Sequence, residues 1–306
     1  MPSSTSRVCA VVVSYHPDIA LLEQALSALR SQVDHLVVVD NGSSREVLDW
    51  LDRRGTQLSF AIVPLGRNTG VATALNHGIG NARERGCAYV LLMDQDSIPQ
   101  TDMVARLVAA HRELEAAGTK VAAVGPRYVD PVSGHSSYFV RFGWIKFKRI
   151  RCQPERPCER VAADFLITSG SLVSIGTFDA VGALEDKIFI DHVDTEWCLR
   201  ARHYGYRTFG VCDAVMHHSL GSETVRVWLG RWRYVPVHSP LRHYYTFRNS
   251  LWLFRRPYAP LRWIVNDTVR LGFMLVFFGL FMPLRMQHLK MMLRGLRDGM
   301  RAPGAS

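Results

Sequence analysis

Residues 8–13, 36–39 and 89–93 are apolar at every position, with none of the polar alternation of a half-exposed strand. Strands of that kind belong to parallel sheets covered by helices on both faces. The segments between them carry a helical period. Asp18, after His16-Pro17, is placed to cap a helix whose apolar positions are Ile19, Leu22, Leu26 and Leu29. Val71, Leu75, Ile79 and Ala82 define another, which stops at Gly86, and residues 102–117 a third. Residues 58–63, 121–124 and 165–173 read as further strands, and residues 188–204 as a turn running into a helix. Alternating strands and helices predict an α/β fold, a mostly parallel, Rossmann-like sheet flanked by helices. Ligands of such sheets sit beyond the carboxyl ends of the strands. Two polar acidic turns, Asp40-Asn41-Gly42-Ser43-Ser44 and Asp94-Gln95-Asp96-Ser97, fall at such ends, so one shared site is expected there.

The charge divides the chain in two. Residues 226–306 hold 14 Lys and Arg against two acids, whereas residues 1–225 hold 23 against 25. The basic excess coincides with a Trp-, Phe-, Leu- and Met-rich stretch of amphipathic helical character. That combination points to an anionic membrane surface and away from nucleic acid. The uncharged run 271–284 contains Pro283 and is shorter than the roughly 20 residues that span a bilayer, so it is read as lying on the membrane. Leu271, Phe273, Met274, Phe277, Phe278 and Phe281 are its expected apolar surface; packing onto the rest of the chain or a second subunit is the alternative. The apolar N-terminal run is too short for a signal peptide, and no cysteine pair has zinc-ribbon spacing. The expectation is six free thiols in a reducing cytoplasm. Residues 131–160 break the pattern and read as an irregular excursion bordering the site.

Asp94 and Asp96, spaced i, i+2 after an apolar strand, can both face one cation, and hard oxygen ligands suit Mg2+ or Mn2+ carrying a diphosphate. The plain alternative is an exposed acidic turn. Asp40 and Asn41 can bind a base or ribose, or form an ordinary Asx turn. Asp191 and Asp194 open a helix marked by Val193, Trp197, Ala201 and Tyr204. Either carboxylate can serve as a general base, or the pair can cap the helix, with Glu196 paired to Arg200. His217-His218 in a polar loop offers a third metal ligand. Gly78-Ile79-Gly80 lies inside a helix with Arg83 at the third glycine position, which speaks against a nicotinamide enzyme.

Taken in order, these clusters resemble the family 2 glycosyltransferases, with their GT-A fold and inverting mechanism. The resemblance spans about residues 7–225 and rests on Val13-Ser14-Tyr15, residues 39–43, Arg67-Asn68-Thr69-Gly70 with Asn76 and Gly78, residues 94–97, Thr168-Ser169-Gly170, and Asp194-x-Glu196-x-Cys198-Leu199-Arg200. It is closest to the rhamnosyltransferase branch through residues 94–97, 189–196 and 218–221, with Arg242-His243-Tyr244-Tyr245 and Arg248-Asn249. The resemblance implies transfer of L-rhamnose from dTDP-L-rhamnose to a hydroxyl of a lipid-linked saccharide or glycolipid, as in O-antigen, other cell-surface polysaccharide or rhamnolipid synthesis. It implies nucleotide-sugar contacts at Ser14, Tyr15, Asp40, Asn41, Arg67, Asn68, Gly70, Asp94 and Gln95, a metal on Asp94, Asp96 and His218, and Asp194 as the base. Many relatives have Glu-Asp where this chain has Val193-Asp194, so Asp191 stays a rival. Residues 1–225 are then the transferase domain, with 131–160 near the acceptor side. Residues 226–306 attach it to the inner face of the cytoplasmic membrane or join it to a second copy. A UDP- or GDP-linked donor is the alternative within the family. A basic membrane adaptor is the non-enzymatic one, and it leaves residues 1–225 unexplained. A HAD-type phosphatase needs its Asp-x-Asp on the first strand, not about the fourth.

Overall fold

The computed structural model describes residues 6–130, 136–144, 146–218, 224–228, 232–236 and 238–301, with backbone alone in 224–228 and 232–236. They form two compact units: one of residues 1–142, 147–189 and 193–219, the other of residues 143–146, 190–192 and 220–306.

The first unit begins β1 (Val8–Ser14), α1 (Ile19–Arg30), β2 (His35–Asp40), α2 (Arg45–Leu58), β3 (Ala61–Pro64), α3 (Val71–Glu84) and β4 (Tyr89–Asp94). It continues with β5 (Ser97–Pro99), α4 (Met103–Ala116), β6 (Val121–Val129), β7 (Phe139–Arg141), β8 (Lys148–Ile150), β9 (Arg160–Ala163), β10 (Ser171–Ser174), α5 (Ile175–Val181), α6 (Val193–His203) and β11 (Arg207–His218). The sheet runs in the order β3-β2-β1-β4-β10-β6-β11-β5, with β9 on β11. β1, β2, β3 and β4 are mutually parallel, as is β6 with β11, while β10, β5 and β9 run antiparallel to their neighbours. The expected mostly parallel α/β sheet is therefore present. Ser14 pairs with Asp40 and Val13 with Asp94, which brings the two acidic turns to one rim.

The core follows the sequence pattern. In β1, Cys9, Ala10, Val11 and Val12 are fully buried, and α1 covers one face with Leu22, Ala25, Leu26 and Leu29. Asp18 caps that helix as expected, its carboxylate accepting from the Ala20 and Leu21 amides at 2.8 and 3.1 Å, a contribution of about 1 kcal/mol. On the other face Gly78 of α3 lies so close to β1 that an added Cβ would come within 2.1 Å of Val11 Cγ1. The glycine is there for helix–sheet contact.

Three expectations need correction. The third strand is not 58–63: α2 runs to Leu58, Ser59 turns left-handed at φ 55°, and the strand is Ala61–Pro64. Residues 165–170 are not strand; the ladder resumes only at β10, and the intervening stretch is a loop at the rim. His217 and His218 lie in no loop but end the 12-residue strand β11. Ser219, Leu220 and Gly221 lie outside the described residues. The thiols differ as well. Cys152 and Cys212 form a disulfide that ties the excursion to β11, while Cys9, Cys87, Cys158 and Cys198 are free.

The second unit contains the hairpin β12 (Thr224–Trp228) and β13 (Trp232–Pro236) and the helices α7 (Pro240–Phe254), α8 (Leu261–Leu280) and α9 (Arg285–Met300). Its core gathers Phe247, Leu271, Phe277, Phe278, Met282 and Met292. His243 and His288 are buried in this unit with their Nδ1 atoms 3.1 Å apart; burial, then the neighbouring imidazole, pushes His243 down to about 4. Leu271, Phe277 and Phe278 are thus core, not membrane surface, while Phe273 and Phe281 are exposed. The exposed apolar stripe of α8 is instead Leu261, Val265, Val269, Phe273, Val276 and Leu280, at spacings of four and three. At 20 residues α8 is long and apolar enough, by length and composition alone, to cross a bilayer.

Candidate active site

At the carboxyl rim the loops after β2 and β3 are laced together. Asp40 is fully buried, and its Oδ1 accepts from the Gly42 and Ser43 amides at 3.1 and 2.9 Å. Its Oδ2 accepts from Ser14 Oγ at 3.0 Å. Asp40 therefore organises its own turn. Asn41 donates to Asn68 Oδ1 at 3.1 Å and accepts from the Thr69 amide at 2.8 Å. Asn68 Oδ1 also takes the Gly70 amide at 3.0 Å. Gly42 (φ 95°) could carry no side chain: a Cβ would stand 2.5 Å from the Arg67 carbonyl carbon. Arg67 and Asn68 are left exposed on this rim. Tyr15, exposed, is tied to the second acidic turn through its amide, which donates to Gln95 Oε1 at 2.7 Å.

The second turn gathers the charge. Asp94 ends β4, where its amide donates to Ser169 Oγ at 3.1 Å. Ser169 donates to Ser97 Oγ at 2.7 Å, and Ser97 Oγ lies 2.8 Å from His218 Nδ1. Antiparallel pairing of β5 with β11 sets His218 opposite Ser97 and so closes a sequence gap of 121 residues. One ligand atom from each of Asp94, Asp96 and His218 then lies within 4.8 Å of the others, and His218 Nδ1 is 3.6 Å from Asp96 Oδ1. Two carboxylates and an imidazole at partly exposed positions are a donor set that fits Mn2+ or Mg2+. His217, one residue along the strand, faces the other way and stays out of the cluster. Sequence reasoning missed Tyr128, whose ring stands edge-on to His218 at 5.8 Å. Only the non-local β6–β11 pairing brings it there.

Asp194 opens α6, and its Oδ1 accepts from the Thr195 amide at 2.6 Å. It lines a small cavity of about 20 Å³ with Leu92, Leu166, Thr168, Trp197 and Cys198, room for about one water. Glu196, almost fully buried, pairs with Arg200 at 2.8 and 2.9 Å, and Arg200 also donates to the Val181 and Ala183 carbonyls. That pair is structural.

Asp191 belongs to the second unit, and there it does not cap a helix. It and His192 both adopt left-handed backbone, φ 59° and 64°. Arg242 donates to its carboxylate at 2.9 and 3.0 Å and Thr246 Oγ1 at 2.8 Å. Asn249 Nδ2 donates to the Ile190 and Asp191 carbonyls at 2.8 and 3.1 Å. His192 Nε2 meets Ser250 Oγ and Arg270 Nη2, each at 3.0 Å. Positions 242, 246, 249 and 250 fall on one face of α7, which explains why the Arg242–Asn249 stretch carries polar residues at that spacing. Burial opposes the Asp191 charge, yet Arg242 and Thr246 prevail and hold the carboxyl below its ordinary value.

Residues 9–166 match the sequence family described as Glycosyl transferase family 2. The chain belongs to this family. It is 31% identical over 268 residues to the dTDP-rhamnosyl transferase RfbF of Shigella flexneri, covering 86% of this chain and 85% of that protein. GalNAc-T7, solved with UDP, GalNAc and Mn2+, superposes with a TM-score of 0.61 at 13% identity over 97% of this chain; the chain spans 56% of that protein's length. Residues 1–349 of S. aureus TarS with UDP-GlcNAc give 0.59 at 14% identity, covering 96% and 80% of the two chains. The fold of this glycosyltransferase is accordingly GT-A.

Proposed function

We propose that this glycosyltransferase moves L-rhamnose from dTDP-L-rhamnose, with inversion, to a hydroxyl of a lipid-linked saccharide or glycolipid. The reading is carried by the Asp94–Asp96–His218 cluster at the sheet rim in a chain similar to a dTDP-rhamnosyl transferase. Asp94, Asp96 and His218 are assigned to hold the divalent ion, which when bound supplies positive charge for the leaving diphosphate. Ser14, Tyr15, Asp40, Asn41, Arg67, Asn68, Gly70 and Gln95 shape the nucleotide side: Asp40 and Asn41 fix the loops, and Arg67 offers an exposed cation. Asp194 is assigned as the base. It takes the proton of the acceptor hydroxyl, the oxygen bonds to the anomeric carbon, and the bond to the diphosphate oxygen breaks on the opposite face. A panel of dTDP-, UDP- and GDP-sugars tests the reading: rhamnosyl transfer is expected and should stop with EDTA. Turnover restricted to UDP- or GDP-sugars would overturn the donor.

The α8 stripe is assigned to the cytoplasmic membrane face. It carries no exposed acid, since Asp267 is buried against Arg270 at 2.7 Å, and exposed Arg255, Arg262, Arg285, Lys290 and Arg294 flank it. Each basic group near an anionic leaflet adds about 1 kcal/mol. A buried carboxylate paired with the half-exposed Arg270 on α8 favours a helix lying in the interface over one crossing the bilayer. The protein should float with anionic liposomes at low salt, and Val269→Glu with Leu280→Glu should abolish this. Protein that stays in solution as a dimer would instead give the stripe to a second copy.

A further inference from the structure

A cavity of about 160 Å³ lies within the first unit, walled by Tyr128, Tyr138, Phe139, Phe165, Leu166 and Ile167, with Ser137 and Ser169 supplying polar groups and no charged residue among the described residues of its lining. Two of these residues also touch the acidic cluster. Ser169 bonds the Asp94 amide and Ser97, and Tyr128 stands against the His218 ring. The cavity therefore begins one side chain away from the residues assigned to the divalent ion.

Its walls are held in place. Phe139 sits over Gly210, where an added Cβ would come within 2.2 Å of the ring. Phe165 stacks on Phe142 at 6.1 Å and 15°, and a bridge joins Val140 to Phe165. The Tyr128 amide donates to Ser137 Oγ at 3.0 Å, and the Ser137 amide to the Tyr128 carbonyl at 2.8 Å. An apolar cavity of about 150 Å³ accepts one six-membered ring. The volume thus suits a pyranosyl ring and falls well short of an acyl chain. A ring that turned a hydroxyl toward Phe165, Leu166 and Ile167 would leave it without a hydrogen-bond partner, a penalty that a methyl group does not incur.

We infer that this cavity takes the 6-deoxy edge of the donor sugar, and that Phe165, Leu166 and Ile167 select a C6 methyl over a C6 hydroxymethyl group. The inference rests on the dTDP-L-rhamnose reading. dTDP-L-mannose differs from dTDP-L-rhamnose only by the hydroxyl on C6, so the pair isolates the effect. The wild-type enzyme should prefer rhamnose by up to about 10²-fold in kcat/KM, near the ceiling for an apolar pocket facing an added hydroxyl. Ile167→Thr and Phe165→Tyr each add one polar group to the wall and should narrow that ratio severalfold, with acceptor KM unchanged. Equal use of both donors by the wild type would overturn the inference while leaving rhamnosyl transfer intact. So would variants that keep the ratio but raise the acceptor KM, which would give the cavity to the acceptor. A wild type that transfers neither sugar, yet turns over a UDP- or GDP-sugar, would remove the donor reading and this inference with it.

Discussion

Asp96→Ala is expected to lose at least about 10³-fold in turnover while keeping the wild-type melting temperature. A bound cation contributes several kcal/mol to stabilising charge that develops on a leaving diphosphate, and each 1.36 kcal/mol is a factor of ten in rate. Asp96 is the member of the cluster that depends on it least for folding. Its carboxylate is about one third exposed and meets His218 at 3.6 Å, beyond hydrogen-bond range. Asp94 and Ser97, by contrast, are built into strands β4 and β5. The measurement is the rate with saturating donor in Mn2+ and in Mg2+, beside a thermal melt. Wild-type turnover in EDTA, or near-wild-type turnover of Asp96→Ala, would remove the metal from the reaction.

What the sequence makes legible here is local. The strand 89–93 and its acidic turn are visible because burial on both faces demands apolar residues at every position, and the chain then needs polar ones to leave the sheet. Asp18 reads as a cap and functions as one. Failures occur where a distant partner decides the conformation. Leu58 and Phe60 look like strand residues, yet Leu58 ends an amphipathic helix and Phe60 joins the core after a left-handed turn at Ser59. His218 reads as a loop residue because nothing near it in sequence announces the β5–β11 pairing that carries it to Asp96. Half of the apolar C-terminal residues turn inward for a related reason. A stretch rich in Phe and Leu shows that a face will be buried, and only the packing of α8 in its unit decides that Leu271, Phe277 and Phe278 are that face. Asp191 is the sharpest case. It stands in sequence as a rival to Asp194 for the base, and nothing near it announces that Arg242 and Thr246, some 50 residues on, donate to its carboxylate.

That difference in surroundings predicts opposite outcomes for the two aspartates. Asp194→Asn should cost about 10² to 10⁴-fold in turnover, the usual scale for a lost general base, with donor affinity and melting temperature retained. The substitution keeps size and hydrogen-bond acceptance from Thr195, and removes the negative charge and with it the capacity to take a proton. Asp191→Asn should instead act on stability. It loses the charge that Arg242 engages through two nitrogens, while asparagine still tolerates the left-handed backbone at φ 59° and can still accept from Thr246. Its melting temperature should fall, and turnover measured below that temperature should stay within about tenfold of wild type, well short of a lost base. The pH dependence follows from the sign of the shift. Asp191 is held ionised in the folded state below its ordinary value, so its contribution is full above about pH 4 and is lost as the pH falls through the folded value. The stability curves of wild type and Asp191→Asn should therefore run apart at neutral pH and converge in acid. A stable Asp191→Asn with no turnover, beside an Asp194→Asn that works, would exchange the two roles.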